Sequence, residues 1–170
     1  MEGKYTLPKD GGLIESTLPR DLLNRYEKMP TQVFQTEAQG VTYLADMIVQ
    51  MLNQHNAMHG QDDFYEDFNP FVLGLTTGRT PTGLYRELVK RYQAGEVSFA
   101  NVAVYSLDEF YPILPTVKQS RNYRIHEELL NHIDIKAENI TFPDGTLPRE
   151  ELSTFCANYD NVHIDLMIIG

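Results

Sequence analysis

Between Thr36 and Asn56 the apolar residues Val41, Leu44, Ala45, Ile48, Val49 and Leu52 recur at helical spacing and predict one helix with a single core-facing stripe. Thr36, with Gln39 three residues on, has the form of a capping box at its start. The polar and acidic stretch from His55 to Asn69 reads as a solvent-facing connection. After Pro70 the period changes. Phe71-Val-Leu-Gly-Leu75 is a continuous apolar run of strand length, as expected of a strand covered on both faces. Thr80-Pro81 predicts a helix start, because a proline in the first turn withholds an N–H that has no helical partner anyway. Leu84, Tyr85, Leu88 and Tyr92 form its inward stripe, and Gly95 ends it. Phe99 to Leu107, centred on Val102-Ala-Val-Tyr105, predicts a second strand.

Further along, Tyr111-Pro-Ile-Leu-Pro115 is a rigid loop, since its prolines cannot donate to a ladder. Ser120 to Asn131 predicts a helix with Ile125, Leu129 and Leu130 inward. Ile133, Ile135 and Ile140 mark a short connection or an edge strand. Arg149 to Tyr159 predicts a helix, and Val162 to Ile169 a strand. Strand, helix, strand in this order implies a right-handed crossover with parallel pairing, and its repetition gives an α/β layered domain. Met1 to Pro30, with Gly11-Gly12, three prolines and a short helical stretch at Leu18 to Tyr26, reads as an amino-terminal arm. The chain stops at Gly170 directly after a strand, where an open sheet places a ligand-binding turn, so it reads as part of a longer protein.

Composition narrows the partners. A chain of 170 residues, 42% hydrophobic, is long enough for one domain with a core. Fourteen Lys and Arg stand against 24 Asp and Glu, for a formal net charge of -10, which repels a nucleic-acid backbone. A small anion remains acceptable, because a nest of N–H groups at short range outweighs a distant unfavourable field. No apolar run approaches the roughly 20 residues of a membrane helix. The lone Cys156 cannot form an internal disulfide and reads as a small buried hydrophobe, in a reducing, cytoplasmic setting.

Two places carry chemistry. Thr76, Thr77, Gly78, Arg79 and Thr80 combine hydroxyls, small size and a helix N-terminus, which suits a phosphate; the alternative is an ordinary tight strand-to-helix turn. The pattern is neither G-x-G-x-x-G nor G-x-x-x-x-G-K-[ST], so neither a dinucleotide cofactor nor a nucleoside triphosphate is indicated. Asp108 and Glu109 follow the second strand, at the carboxyl end where open sheets collect ligand groups. Their side chains diverge, so one can act as a general base while the other caps or braces; the alternative is a solvated loop pair. His55, His59, His126, His132 and His163 show no metal-ligand spacing; His163 beside Asp165 reads as structural, and His126 and Glu127 as a solvated face.

Phe71 to Pro81, Gly95 to Phe99, Ser106-Leu-Asp-Glu-Phe110, Ser120-Arg-Asn-Tyr123, His132 to Ile135 and Glu138-Asn-Ile140, in this order and spacing, resemble the glucosamine-6-phosphate deaminase (isomerase) family, related to 6-phosphogluconolactonase. The resemblance covers about Thr36 to Gly170. It implies a Rossmann-like three-layer αβα sandwich with a mainly parallel sheet, cut off after a strand. The implied organisation is an arm over 1–30 and a sugar-phosphate isomerase-like α/β domain over 31–170, incomplete at its carboxyl end. It further implies a phosphate loop at Thr77 to Thr80, an enolisation base at Asp108, a pocket-shaping carboxylate at Glu109, a sugar-phosphate substrate and no cofactor or metal. Arg79 stands where the family usually has Gly or Ser, either adding a phosphate donor or crowding the site. In the family the last strand enters a Gly-rich turn with an Asp and a His, then a Glu, which open the sugar ring; Gly170 resembles its first glycine. The expected reaction converts glucosamine 6-phosphate and water to fructose 6-phosphate and ammonia. A 6-phosphogluconolactonase-like hydrolase and a non-catalytic sugar-phosphate sensor are the alternatives. Members are often homo-oligomers, and self-association stays open.

Overall fold

The computed structural model describes residues 31–59, 69–159 and 161–170. The arm expected over 1–30, the helical stretch expected at Leu18 to Tyr26 and most of the expected acidic connection lie outside these residues. Helix α1 (Glu37–His59) opens with the reciprocal bonds of the capping box, Thr36 N–H to Gln39 Oε1 and Gln39 N–H to Thr36 Oγ1, both 3.3 Å. It runs four residues past His55, so the connection begins later than its polarity suggests. Ala45, Ile48 and Leu52 are buried along it, whereas Leu44, at the edge of the predicted stripe, is 40% exposed.

Strand β1 (Phe71–Leu75) leads through the Thr-Gly loop into α2 (Arg79–Gln93), and the chain returns as β2 (Val102–Ser106). The helix starts one residue before Thr80, with Gly78 rather than a threonine as its cap residue and no side chain capping it. It ends as predicted: Gly95 takes φ 73°, its N–H bonds Tyr92 O, and Glu96 N–H bonds Arg91 O, which satisfies carbonyls the helix leaves open. Next come α3 (Arg121–Glu128), a 3-10 turn at Leu130–His132, the short edge strand β3 (Ile140–Thr141), α4 (Leu152–Tyr159) and β4 (Leu166–Met167).

The sheet order is β3-β2-β1-β4 and every pairing is parallel. Register sets Phe71, Leu73 and Leu75 beside Val102, Val104 and Ser106 on one face, where they join α1, α2 and the α3 region in a single core. Fully burying a leucine here contributes about 1.5–3 kcal/mol. The other face carries Val72, Gly74, Ala103 and Tyr105. There α4 packs, with the Tyr159 ring 5.7 Å from Tyr105. Helices on both faces of a parallel sheet give the three layers the sequence implied.

Two further expectations change at the carboxyl end. The strand expected over Val162 to Ile169 pairs only at Leu166–Met167, flanked by Asp165 N–H to Val72 O and Ile168 N–H to Gly74 O. Val72 N–H is taken by the Asp165 carboxylate at 2.8 Å, a side chain standing where a ladder carbonyl would be, and His163 is 88% exposed beyond it. Cys156 is exposed, because the inward side of α4 is spent on Leu152, Phe155 and Tyr159.

Candidate functional site

The loop after β1 is held from below. Thr76 and Thr77 are buried, and the Tyr85 phenol, 0% exposed, donates to Thr76 O at 2.5 Å while accepting from Thr76 N–H at 3.3 Å. Burial pushes that phenol well above its ordinary range, with the bond to Thr76 opposing and nearby Glu128 reinforcing, so it stays a neutral donor. Gly78 then takes φ 147° and ψ -179°, a region open essentially to glycine alone. The turn thus delivers α2 with its first N–H groups uncapped by any side chain, and unsatisfied N–H groups at a helix start attract anions. The Thr82 hydroxyl, 2.7 Å from Gly78 O and 2.9 Å from Glu128 Oε2, ties the turn to α3. Arg79 and Thr80 are exposed at the mouth. Gly170 closes the other side: a Cβ there would lie 3.0 Å from Thr80 Cβ and 3.2 Å from Pro81 Cδ, so the chain after β4 passes against the start of α2.

Asp108 stands beyond the end of β2, the neighbour of β1. Leu107 N–H bonds Leu75 O at 2.8 Å, and the buried Ser106 hydroxyl donates to Asp108 O at 3.0 Å, which fixes the backbone that carries the carboxylate. The two adjacent acids do diverge. Asp108 is half exposed, while Glu109 turns to α3 and accepts from Arg121 N–H (2.9 Å), Asn122 N–H (3.0 Å), the Ser120 hydroxyl (2.7 Å) and Phe110 N–H (2.8 Å). Burial alone would raise the Glu109 carboxyl, but these bonds outweigh it and hold the group below the usual carboxylate range. With both oxygens occupied at a helix N-terminus, Glu109 braces and has no lone pair poised for proton abstraction.

Arg121, which sequence reasoning did not single out as a site residue, joins the two halves. Its Nη1 donates to Thr77 Oγ1, its Nε lies 3.5 Å from Asp108 Oδ2, and its guanidinium sits 4.4 Å over the Phe110 ring. The signal available was an arginine directly after the Ser120 cap, whose N–H must face whatever acid precedes the helix. Glu109 also borders a cavity of about 550 Å³ lined by Ile113, Asn122, His126, Phe142 and Thr146 among others. His126, expected on a solvated face, is partly buried there, its Nδ1 2.9 Å from Asn122 O and its ring 5.5 Å from Phe142. Among the described residues no helix is long and apolar enough to cross a membrane.

These features define a parallel α/β protein whose polar groups gather at the carboxyl ends of two adjacent strands, beside an uncapped helix start. Residues 35–170 match the family described as glucosamine-6-phosphate isomerases/6-phosphogluconolactonase, and the chain belongs to that family. Glucosamine-6-phosphate deaminase 2 of Bacillus subtilis (strain 168) is 40% identical over 104 residues, 58% of this chain and 41% of that protein. A glucosamine-6-phosphate deaminase-like protein of Bacteroides thetaiotaomicron is 30% identical over 162 residues, 92% of this chain and 23% of that protein. Among solved structures, a monomeric glucosamine-6-phosphate deaminase superposes with a TM-score of 0.56 at 26% identity, over 74% of this chain and 46% of that one. The 6-phosphogluconolactonase of Thermotoga maritima shares the fold, with a TM-score of 0.51 at 19% identity over 72% of this chain and 53% of that one. The chain spans less than half the length of these two curated relatives.

Proposed function

We propose that this chain supplies the phosphate loop and the enolisation base of a glucosamine-6-phosphate deaminase, which converts glucosamine 6-phosphate and water to fructose 6-phosphate and ammonia. The observation that carries the reading is the convergence of the Thr76–Thr80 loop and Asp108 at the ends of neighbouring parallel strands, bridged by Arg121. The deaminase relatives support it. The N–H groups of Gly78, Arg79 and Thr80 and the hydroxyls of Thr77 and Thr80 bind the substrate phosphate. Once the sugar ring is open, Asp108 takes the proton from C2, leaving an enolamine, and returns it at C1; water then adds to the resulting C2 imine and ammonia departs. Anchoring the phosphate fixes C1 and C2 against the carboxylate, which is the orientational part of the rate. Glu109 keeps α3 and Arg121 in place and does not exchange protons with substrate.

The test is ammonia release from glucosamine 6-phosphate by the enzyme that contains this chain. Asp108→Asn lowers kcat by about a hundredfold or more, as loss of a general base does, while substrate still binds. Full ammonia release by that variant overturns the assignment. A lactonase reading draws on Ser120-Arg-Asn-Tyr123 at the start of α3 and on the breadth of the family. Hydrolysis of 6-phosphogluconolactone with no ammonia from the amino sugar would select it, since that reaction needs no proton transfer at C2.

A further inference from the structure

We propose that the Arg121 side chain is itself a phosphate ligand of this site and the residue that selects phosphorylated over unphosphorylated amino sugars. The inference rests on the reading that the Thr76–Thr80 loop takes a phosphate. It starts from an imbalance in the hydrogen bonding of one cation. The Arg121 Nε is buried and has no hydrogen-bond partner among the described residues. Asp108 Oδ2, at 3.5 Å, is near enough to balance charge but too far for the short bond a guanidinium makes with a carboxylate. A buried donor of this kind is costly unless something arrives to use it.

The surroundings say what that is. Nη1 donates to Thr77 Oγ1, which aims the guanidinium at the loop and leaves the Thr77 hydroxyl proton free to point at another acceptor. The Phe110 ring under the guanidinium holds its plane, and the Arg121 N–H bonded to Glu109 anchors its backbone. Arg121 is thus a rigid, planar fork beside uncapped helix N–H groups, the arrangement that recognises a tetrahedral oxyanion. Arg79, the cation within the loop, is exposed at the helix start and is not oriented in this way. When phosphate enters, Arg121 pairs with it, and the hold on Asp108 slackens. A sugar lacking the phosphate leaves Arg121 on Asp108, so the same residue discriminates and frees the base.

The probe is inorganic phosphate, titrated into this 170-residue chain by calorimetry against chloride at matched ionic strength. Wild type binds; Arg121→Met binds at least about tenfold more weakly, the worth of one charge-assisted bond; Arg121→Lys falls between. Equal affinity for wild type and Arg121→Met overturns the inference while the loop reading stands. No binding by wild type overturns both. Should Arg121→Met fail to fold, the Arg121 Nε–H resonance of the wild-type chain, assigned by its absence from Arg121→Lys, decides the question. A shift with phosphate and not with chloride supports the role; a fixed resonance while the Gly78 and Thr80 amides move refutes it.

Discussion

Replacing Tyr85 by Phe removes one oxygen and leaves the ring in the core, which isolates how much the loop proposed to bind phosphate depends on being held from below. In the native chain the phenol serves both backbone groups of Thr76, a donated bond at 2.5 Å and an accepted one at 3.3 Å, in a spot where water does not reach. The variant strands a carbonyl and an N–H together. Unmade buried bonds cost about 1–3 kcal/mol each, and the longer one belongs at the bottom of that range, so the loss is about 2–4 kcal/mol. In a chain of this size each kcal/mol lowers Tm by about 2–4 °C, giving a drop of roughly 4–16 °C. Paired thermal and urea melts followed by circular dichroism measure it, with equal m-values showing that the unfolded state is unchanged. On the proposed reading phosphate affinity falls alongside, because Thr76 precedes the N–H groups proposed to bind the anion. A loss below about 0.5 kcal/mol, the scatter of neutral substitutions, would show that the phenol does not hold the loop.

Gly78→Ala costs about 1–3 kcal/mol through backbone strain alone, since the new Cβ meets nothing closer than Pro81 Cδ at 3.7 Å; melts show the loss, and weaker phosphate binding goes with it. Gly145→Ala fails for the opposite reason, contact: its Cβ would sit 2.7 Å from both Phe110 O and Ile113 O, and overpacking of this kind costs about 1–3 kcal/mol in the same melts. Glu109→Gln destabilises by about 1.5 kcal/mol at neutral pH, the low end for bonds to a charged group because the site is partly solvated. The Glu109 carboxyl titrates lower folded than unfolded, so its contribution is complete above pH 4.5 and disappears as pH falls through the lower folded value. Urea melts across that range show wild type losing its advantage over Glu109→Gln on acidification; an advantage that grew toward acid would reverse the assignment.

The parts of the fold visible in the sequence were those written in short-range spacing. Thr36 and Gln39 are three residues apart, so their capping box is readable without any fold. The buried stripe of α2 and the Gly95 stop follow from one helical period and one left-handed residue. Asp108 could be placed because a parallel strand has a definite carboxyl end. What was hidden depends on chain crossings. Arg121 meets Thr77 across 44 residues, and Glu109 finds its N–H donors 12 and 13 residues ahead, which no window of periodicity contains. The shortness of β4 was hidden as well, because hydrophobicity reports burial, whereas pairing there ends where the Asp165 carboxylate replaces a ladder carbonyl. Cys156 was misjudged through residue type alone: an eight-residue helix on a sheet face needs only one inward row.

Ser106 is held from two sides of the sheet. Its hydroxyl, on the core face, bonds Asp108 O, and its carbonyl accepts from the Tyr159 phenol of α4, at 2.7 Å, from the opposite layer. Burial raises that phenol to about 12, with the bond to Ser106 opposing, so it remains protonated and the tie is permanent at working pH. The backbone that leads to Asp108 is therefore fixed from opposite layers of the molecule, by the Ser106 hydroxyl on the core face and by α4 on the other. A substitution at Tyr159 on that outer helix thus reaches the backbone before Asp108 from the face opposite α1 and α2, with every contact of the loop after β1 left as it was.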